Sequence, residues 1–499
     1  MKLKNIIKKG TLIWPFLIIF YFLTRTINFK IIPIFTDEAI YTYWAQIALN
    51  DPVNRFISLE DGKQPLFIWL AAIFQHFIKD PLIATRLVSV FSGFGSLIGI
   101  YLLTKELFEK RAALVASFLY IVIPFTLLYD RMALFDSLLT MLGIYAVLFT
   151  VKMARDPKLE SALLTGTAIG LAKITKSSGN FFQYLLPFSI LLFNFRRKNN
   201  VQVLVKWFGF VSIAVVLASV IYNSLRVSGY FYIIERKNYE FIRTSQDVIN
   251  DPFIHFFSNS QALIGWISTY LGIPLFIIYI ASIAYFLKKK NLEFIYLQLF
   301  ILVPFLAEAT FNKVLYPRFA LFYFPYIIIS IAAFSNLILE KFKKHQIKTL
   351  GLLFLILLIP LSISYKLLTN PPYAKIPESD SGQYFNDWPS GYGINQIVEM
   401  FRSELNRQEV HVATEGTFGL LPFALNVYFY ADENIHIYPY WPVNANNLPT
   451  QILETAKSKK TYFIFYQNQE KITNPQLKLI SSYQKGIGNS YMRLFEVLP

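Results

Sequence analysis

The sequence predicts a polytopic α-helical membrane protein that ends in an extracytoplasmic α/β domain. Three observations predict it. Of the 499 residues, 55% are hydrophobic and 16% charged, a balance too apolar for an ordinary water-soluble domain. Apolar runs long enough to cross a bilayer recur along the chain as far as about residue 368. At Asn370-Pro371-Pro372 the composition turns polar, and no spanning run follows. The domain boundary is therefore drawn between a membrane domain, 1–369, and a tail, 370–499. An aromatic content of 17% suits lipid-embedded helices with interfacial belts. The absence of cysteine excludes disulfides, thiolate metal sites and a Cys nucleophile.

The expected spans lie near 11–29, 82–104, 111–129, 134–151, 160–175, 180–195, 202–222, 262–287, 293–310, 318–339 and 347–368, about eleven crossings. The first follows Lys2, Lys4, Lys8 and Lys9. It is long and lacks a small-residue cleavage site, so it reads as an uncleaved helix rather than a signal peptide. The fifth and sixth are short and are expected to be tilted or broken. Basic clusters fall in every second gap: the N-terminal lysines; Lys105, Lys110 and Arg111; Lys152, Arg155 and Lys158; Arg196, Arg197, Lys198 and Lys206; Lys288 to Lys290; and Lys341, Lys343, Lys344 and Lys348. The positive-inside rule puts all six in the cytoplasm, with the N-terminus. This accounts for most of the net charge of +16 without a nucleic-acid partner. The alternation also tests the span count. Leu66–Ile78, at roughly 13 residues, is too short to cross and would break the pattern, so it reads as an interfacial helix on the outer face.

The other gaps are then external: a first loop at about 30–81, the turn Tyr129–Ala133, the stretch near Lys176–Gly179, about 223–261, about 311–317, and the tail. In the tail the pattern predicts helices at 393–407, near 417–429 and near 448–458. Strands are predicted at Val410–Thr414, Ile435–Tyr438, Tyr462–Tyr466, Leu477–Tyr483 and Tyr491–Val497. Strands alternating with helices imply a small, partly parallel sheet. The tail shows no phosphate-binding glycine loop and no catalytic signature, which fits an accessory domain.

The ionisable outliers collect at the external gaps. Asp37 and Glu38 lie in the first loop, which closes with Asp61 and Lys63. Asp130, Arg131 and Asp136 bracket the second gap, Lys173 and Lys176 stand at the third, and Arg318 at the fifth. Carboxylates close to lipid are costly and tend to be paired or functional. An Asp can take a proton from a hydroxyl, and Lys and Arg can hold a departing phosphate. A substrate joining sugar, phosphate and lipid tail would use carboxylates, cations and an apolar groove. Each residue also has a plainer reading. Asp37 fits a helix N-cap, and Glu38 a first helical turn. Asp136 could pair with Arg131, Asp130 reads as an exposed turn residue, and Arg86 as a partner for an acid of the first loop. Lys63 fits a solvated loop charge, and Lys176 and Arg318 fit snorkelling anchors.

At these residues the chain resembles the GT-C membrane glycosyltransferases, specifically the protein O-mannosyltransferase and aminoarabinose transferase group of glycosyltransferase family 39. An Asp-Glu pair opens the first external loop in that group, as Asp37-Glu38 does here. The Lys-Pro-Pro that ends the loop is Lys63-Gln64-Pro65, with one proline missing. An Ala-Arg-Leu is matched by Arg86-Leu87 behind Thr85. An Arg-x-Ala-Leu-x-Asp is matched in full by Arg131, Ala133, Leu134 and Asp136. A Leu-Thr-Lys-Gly is approximated by Ile174-Thr175-Lys176-Ser177, and an Arg-aromatic pair by Arg318-Phe319. The resemblance covers roughly residues 1–370. It implies a GT-C-like fold and a polyprenyl-phosphate sugar donor presented from the outer leaflet, while the absence of cysteine and the Lys/Ile/Phe/Asn-rich composition suit a bacterial plasma membrane. The acceptor would be a hydroxyl on a protein, lipid or glycan, attacked with inversion at the sugar. It implies Asp37 as general base and Asp136 as the residue orienting the acceptor or a bound cation. Glu38 would contact substrate, and Lys63, Arg131, Lys176 and Arg318 would hold the phosphate. Two carboxylates can share a divalent cation, although nothing in the sequence demands one. A transporter or flippase for a lipid-linked sugar is the competing class; it would favour internal repeats and mid-depth charges, neither of which stands out. A third class is a non-catalytic receptor with the tail as its binding module.

Overall fold

The computed structural model describes residues 13–196 and 198–499. The lysines at 2, 4, 8 and 9, the first residues of the first span and Arg197 lie outside the described residues. Two compact units emerge. One takes in the described part of Met1–Ile27 together with Phe56–Phe67 and Leu87–Tyr365; the other is built from Asn28–Arg55, Ile68–Arg86 and Lys366–Pro499.

The first unit is helical. Among the described residues six helices are long and apolar enough to cross a membrane: Pro81–Leu107, Phe135–Arg155, Asn200–Val227, Leu292–Phe311, Phe324–Lys341 and Ile347–Thr369. The first and last of these run on into the second unit. A seventh crossing forms if Phe256–Leu271 and Ile273–Lys288, bent by 113°, act as one broken span. The bend sits at Gly272, whose φ of +74° suits glycine, and Pro274 starts the second half. The other expected spans are helical but shorter or broken. Leu159–Lys173 has 15 residues, about 22 Å of helix against a core of about 30 Å. The run at 180–195 begins as a six-residue helix, Asn180–Leu185, and continues as a 3-10 helix. Helix Phe135–Arg155 is the most enclosed, with 78% of its apolar window buried, whereas Asn200–Val227 has 22% and Ile347–Thr369 17%. The latter two present Val205, Phe208, Val216, Leu352, Phe354 and Leu355 outward, as lipid-facing helices do.

The expected span 111–129 is two helices, Lys110–Val122 and Pro124–Tyr129. Pro124 has no N–H and cannot continue the ladder, so the carbonyls just before it lose their partners. In a membrane each must be satisfied internally. The Arg25 guanidinium donates to the carbonyls of Ile121, at 2.6 Å, and Tyr120, at 3.2 Å, and Ser364 donates to Val122 at 2.7 Å. Asp130 balances this arginine at 3.3 Å and accepts from Tyr120 at 3.2 Å and Ser137 at 3.1 Å. Asp130 is therefore buried, contrary to the exposed turn residue expected. It is the counter-ion of a buried arginine some hundred positions away, a relation local sequence does not carry.

The second unit centres on a five-stranded sheet: β1 (Val410–Glu415), β2 (Ile435–Tyr440), β3 (Thr461–Phe465), β4 (Leu477–Gln484) and β5 (Tyr491–Val497), in the order β2-β1-β3-β5-β4. β1 pairs in parallel with β2 and β3, and β5 runs antiparallel to β3 and β4. Helices Ile394–Leu405, Leu420–Tyr428 and Thr450–Ala456 complete the predicted alternation. One core joins Val412, Ile464 and Leu494 of the sheet with Phe401, Leu420 and Leu425, and it takes in Ile34, Ala39 and Leu82 of the first loop and the helix start that follows it. Helix Thr36–Asn50 lies on helix Leu420–Tyr428, with Gln46 donating to the carbonyl of Val427 at 2.9 Å and Tyr43 stacked on Phe423 at 5.3 Å. Gly391 permits the close approach of Ile34, whose carbonyl a Cβ there would overlap. The stretch expected to lie at the interface forms a 12-residue helix, Leu66–Phe77.

Candidate active site

The expected site residues divide between the two units. In the second unit, Phe35 takes the N-cap position of helix Thr36–Asn50, and both acids stand in its first turn, where the dipole favours negative charge. Asp37 is thus not the cap itself. It is partly exposed, while Glu38 is fully buried. Glu38 receives a two-pronged bond from Arg86, Nε to Oε1 at 2.8 Å and Nη2 to Oε2 at 2.7 Å, and accepts the Phe35 N–H at 3.0 Å. Arg86 also donates to the carbonyls of Phe29, Ile32 and Pro33, at 3.1, 3.0 and 3.1 Å. The planar guanidinium is suited to this many-sided role. Arg86 does pair with an acid of the first loop, as the plainer reading expected, and the pair holds the segment that delivers Asp37.

In the first unit, four of the short motifs meet. Asp136 lies in the first turn of helix Phe135–Arg155 and accepts from Lys176 at 2.6 Å. Its partner is thus Lys176, from a different motif. Lys176 also sits over the Phe319 ring, 4.6 Å from its centre. The Lys63 loop joins the same place. The Gln64 amide donates to the Ser177 hydroxyl at 2.8 Å, and Leu66 N–H to the Ile174 carbonyl at 3.1 Å. Gln64, standing where the family pattern has proline, therefore ties one motif to another. The Lys63 ammonium lies 4.9 Å from the centre of the Phe241 ring, and the Arg318 guanidinium 5.3 Å from that of Tyr316. Lys176 has three N–H donors, one of them given to Asp136, and its side chain is a quarter exposed. Arg131 is buried, donating to the Thr24 carbonyl at 2.9 Å. Lys173 faces elsewhere, toward Gln183 at 2.8 Å and the Tyr222 ring at 4.9 Å. Asp61 binds Lys237 at 3.1 Å.

Two residues here were not singled out from sequence. Glu308 is buried in helix Leu292–Phe311, accepts from Tyr323 at 3.0 Å, and lies within electrostatic range of both Lys176 and Asp136. An acid in so apolar a helix is itself the signal that could have found it. Phe319 stands in the sequence as the aromatic member of the Arg-aromatic pair, with no sign of Lys176. Its role as the face beneath Lys176 depends on a contact between residues far apart in the chain.

The family model described as dolichyl-phosphate-mannose-protein mannosyltransferase matches residues 62–222, the segment that holds Lys63, Arg86, Arg131, Asp136 and Lys176. Among solved structures the chain is similar to ArnT from Cupriavidus metallidurans in the apo state, with a TM-score of 0.60 and 10% identity over 99% of this chain and 98% of that one. It is similar to the same protein bound to undecaprenyl phosphate, with a TM-score of 0.57 and 11% identity over 97% of each chain. It is also similar to the archaeal oligosaccharyltransferase AglB from Archaeoglobus fulgidus in complex with an inhibitory peptide and a dolichol-phosphate. There the TM-score is 0.55, with 13% identity over 91% of this chain and 69% of that one. A search of curated proteins returned no match. At these identities the likeness is one of fold. The GT-C-like fold read from the sequence is borne out, and the family resemblance is borne out over residues 62–222.

Proposed function

We propose that the protein is an integral membrane glycosyltransferase that moves a sugar from a polyprenyl-phosphate donor to an acceptor hydroxyl. The observation that carries this reading is the convergence of four separate short motifs on the Asp136–Lys176 pair. A purely structural ion pair would not need the Gln64 loop tied to Ser177 and the Phe319 ring set beneath Lys176. The solved relatives ArnT and AglB carry undecaprenyl phosphate and dolichol-phosphate respectively, which supports a donor of the same chemistry.

In this reading Asp37 takes the proton of the acceptor hydroxyl. The acceptor oxygen then attacks the anomeric carbon while the bond from that carbon to the phosphate oxygen breaks, inverting the centre. The departing polyprenyl phosphate gains negative charge, which Lys176, Lys63 and Arg318 receive. Asp136 orients Lys176 or the acceptor, and a divalent cation shared by carboxylates is compatible with the scheme. Glu38 and Arg131, both buried and bonded within the protein, act as positioning residues. The sugar is a hexose or pentose, the acceptor lies on a protein, lipid or glycan, and the reaction takes place on the external face of a plasma membrane.

The test is reconstitution with a panel of polyprenyl-phosphate sugars and an acceptor extract, following released polyprenyl phosphate. Asp37→Asn keeps the shape and removes the base, and is expected to lower turnover by about 10²- to 10⁴-fold. Wild-type turnover in that variant would overturn the role of Asp37. Movement of the sugar lipid across the bilayer with no release would replace the enzyme by a flippase.

A further inference from the structure

The N-terminal edge of the sheet in the second unit carries a cluster that the transferase reading does not use. Side chains alternate along a strand, so Glu409, which immediately precedes β1, and His411 project to one face. β1 and β2 pair in parallel with His411 opposite His436, which places both imidazoles side by side on that face. Their rings stack with centres 4.5 Å apart. One oxygen of Glu409 and one nitrogen of each histidine all lie within 4.8 Å of one another.

The second observation concerns His411 itself. Its side chain is more than nine-tenths buried, with 7% of the residue exposed, and its Nε2 makes no hydrogen bond among the described residues. A buried polar atom left without a partner is costly and calls for an explanation. Glu409 Oε2 stands 3.6 Å from Nε2, within ion-pair distance but beyond hydrogen-bond range. On the other side of the ring, Nδ1 lies 3.1 Å from the Tyr438 hydroxyl. When Nδ1–H donates to Tyr438, the Nε2 lone pair points at the cluster. Metal-binding histidines are commonly held in this way, with one nitrogen fixed by an outer partner and the other offered to the ion.

We propose that Glu409, His411 and His436 form a Zn²⁺ site at the edge of the sheet, with Tyr438 as its outer partner. Two imidazoles and a carboxylate make a donor set that zinc accepts, leaving one position for water. The ligand atoms of a tetrahedral site with 2.1 Å bonds stand roughly 3.4 Å apart. Contraction from within 4.8 Å to that spacing falls to Glu409 and His436, the two more exposed members. Lys459 binds Glu409 Oε2 at 2.7 Å, so zinc either takes the other carboxylate oxygen or displaces this exposed lysine. Bound zinc would clip the ends of β1 and β2 together.

The experiment uses the full-length protein in detergent, stripped with a chelator and titrated with Zn²⁺ alone against a chromophoric zinc indicator. The expected result is one Zn²⁺ per chain with a Kd in the micromolar range or tighter. His436→Ala and Glu409→Gln are each expected to weaken it at least tenfold, and Tyr438→Phe by about tenfold. His436 and Glu409 are not core residues, so both variants should retain the wild-type circular dichroism. Absence of stoichiometric binding, or binding unchanged in correctly folded His436→Ala, would overturn the site. Neither outcome bears on glycosyl transfer.

Discussion

Glu38→Gln is expected to loosen the segment that carries Asp37, and the structure sets the size of the effect. The Glu38–Arg86 pair has side chains 0% and 1% exposed, so water screens neither charge. Removing one member of a buried pair typically costs about 3–5 kcal/mol, because the survivor is left charged and uncompensated. After Glu38→Gln, Arg86 keeps three carbonyl acceptors, those of Phe29, Ile32 and Pro33, which argues for the lower end, about 3 kcal/mol. After Arg86→Met, Glu38 loses both prongs of its guanidinium bond, and those three carbonyls lose their donor. This argues for the upper end, about 5 kcal/mol. At 1.4 kcal/mol per decade, local opening rises about 10²-fold in the first variant and about 10³-fold or more in the second. Amide hydrogen exchange of residues 29–40 in the full-length protein measures this directly. The double variant Glu38→Met/Arg86→Met is expected to lose less than the sum of the single variants, because no charge is stranded. Protection within threefold of wild type in Glu38→Gln, or strict additivity in the double variant, would refute the reasoning.

Two other perturbations test the packing of the helical unit and the electrostatics of the tail. Gly93→Ala places a Cβ against the Tyr21 hydroxyl and the Asp130 carboxylate, inside the network that satisfies the Pro124 break, and is expected to cost at least about 2 kcal/mol. A lowered melting temperature checks it, with Gly209→Ala, whose Cβ meets nothing, as the neutral control; equal melting of the two variants would count against the network. Lys485 is buried in the tail with its ammonium donating to the Trp388 carbonyl at 2.7 Å, and burial pushes it from the usual 10.5 down to about 7 against the pull of Glu415 and Asp387. Between those values the unfolded chain holds the extra proton, so stability rises with pH, by about 2 kcal/mol from about pH 7 to about pH 9. Amide protection in β4 and β5, corrected for intrinsic exchange, should show this rise in the wild type but not in Lys485→Met. The same profile in both proteins would show that Lys485 is not its source.

The elements that could be read in advance are those set by local pattern. The tail strands at 410, 435, 462, 477 and 491 and the helices between them follow from alternation and helical spacing, and they appear where expected within a few residues. The long apolar spans follow from run length. The breaks were harder, because Pro124 and Gly272 interrupt spans whose composition still reads as continuous. Candidate residues were legible where an acid or base interrupts an apolar stretch, as at Asp136 and Lys176, which the fold pairs. The contact of Phe319 with Lys176 was not legible, because it joins residues more than a hundred positions apart.

Sequence by itself determined the membrane class, the change of character at residue 370 and the set of charged outliers, because hydropathy and charge are additive along a chain. Only the tertiary structure decided which charges meet. Asp136 pairs with Lys176, Asp130 neutralises Arg25, and Glu38 is committed to Arg86, partners 40, 105 and 48 positions apart. Burial makes each unpaired charge expensive, so the fold selects partners by proximity in space, and the spacing of residues along the chain does not record that choice.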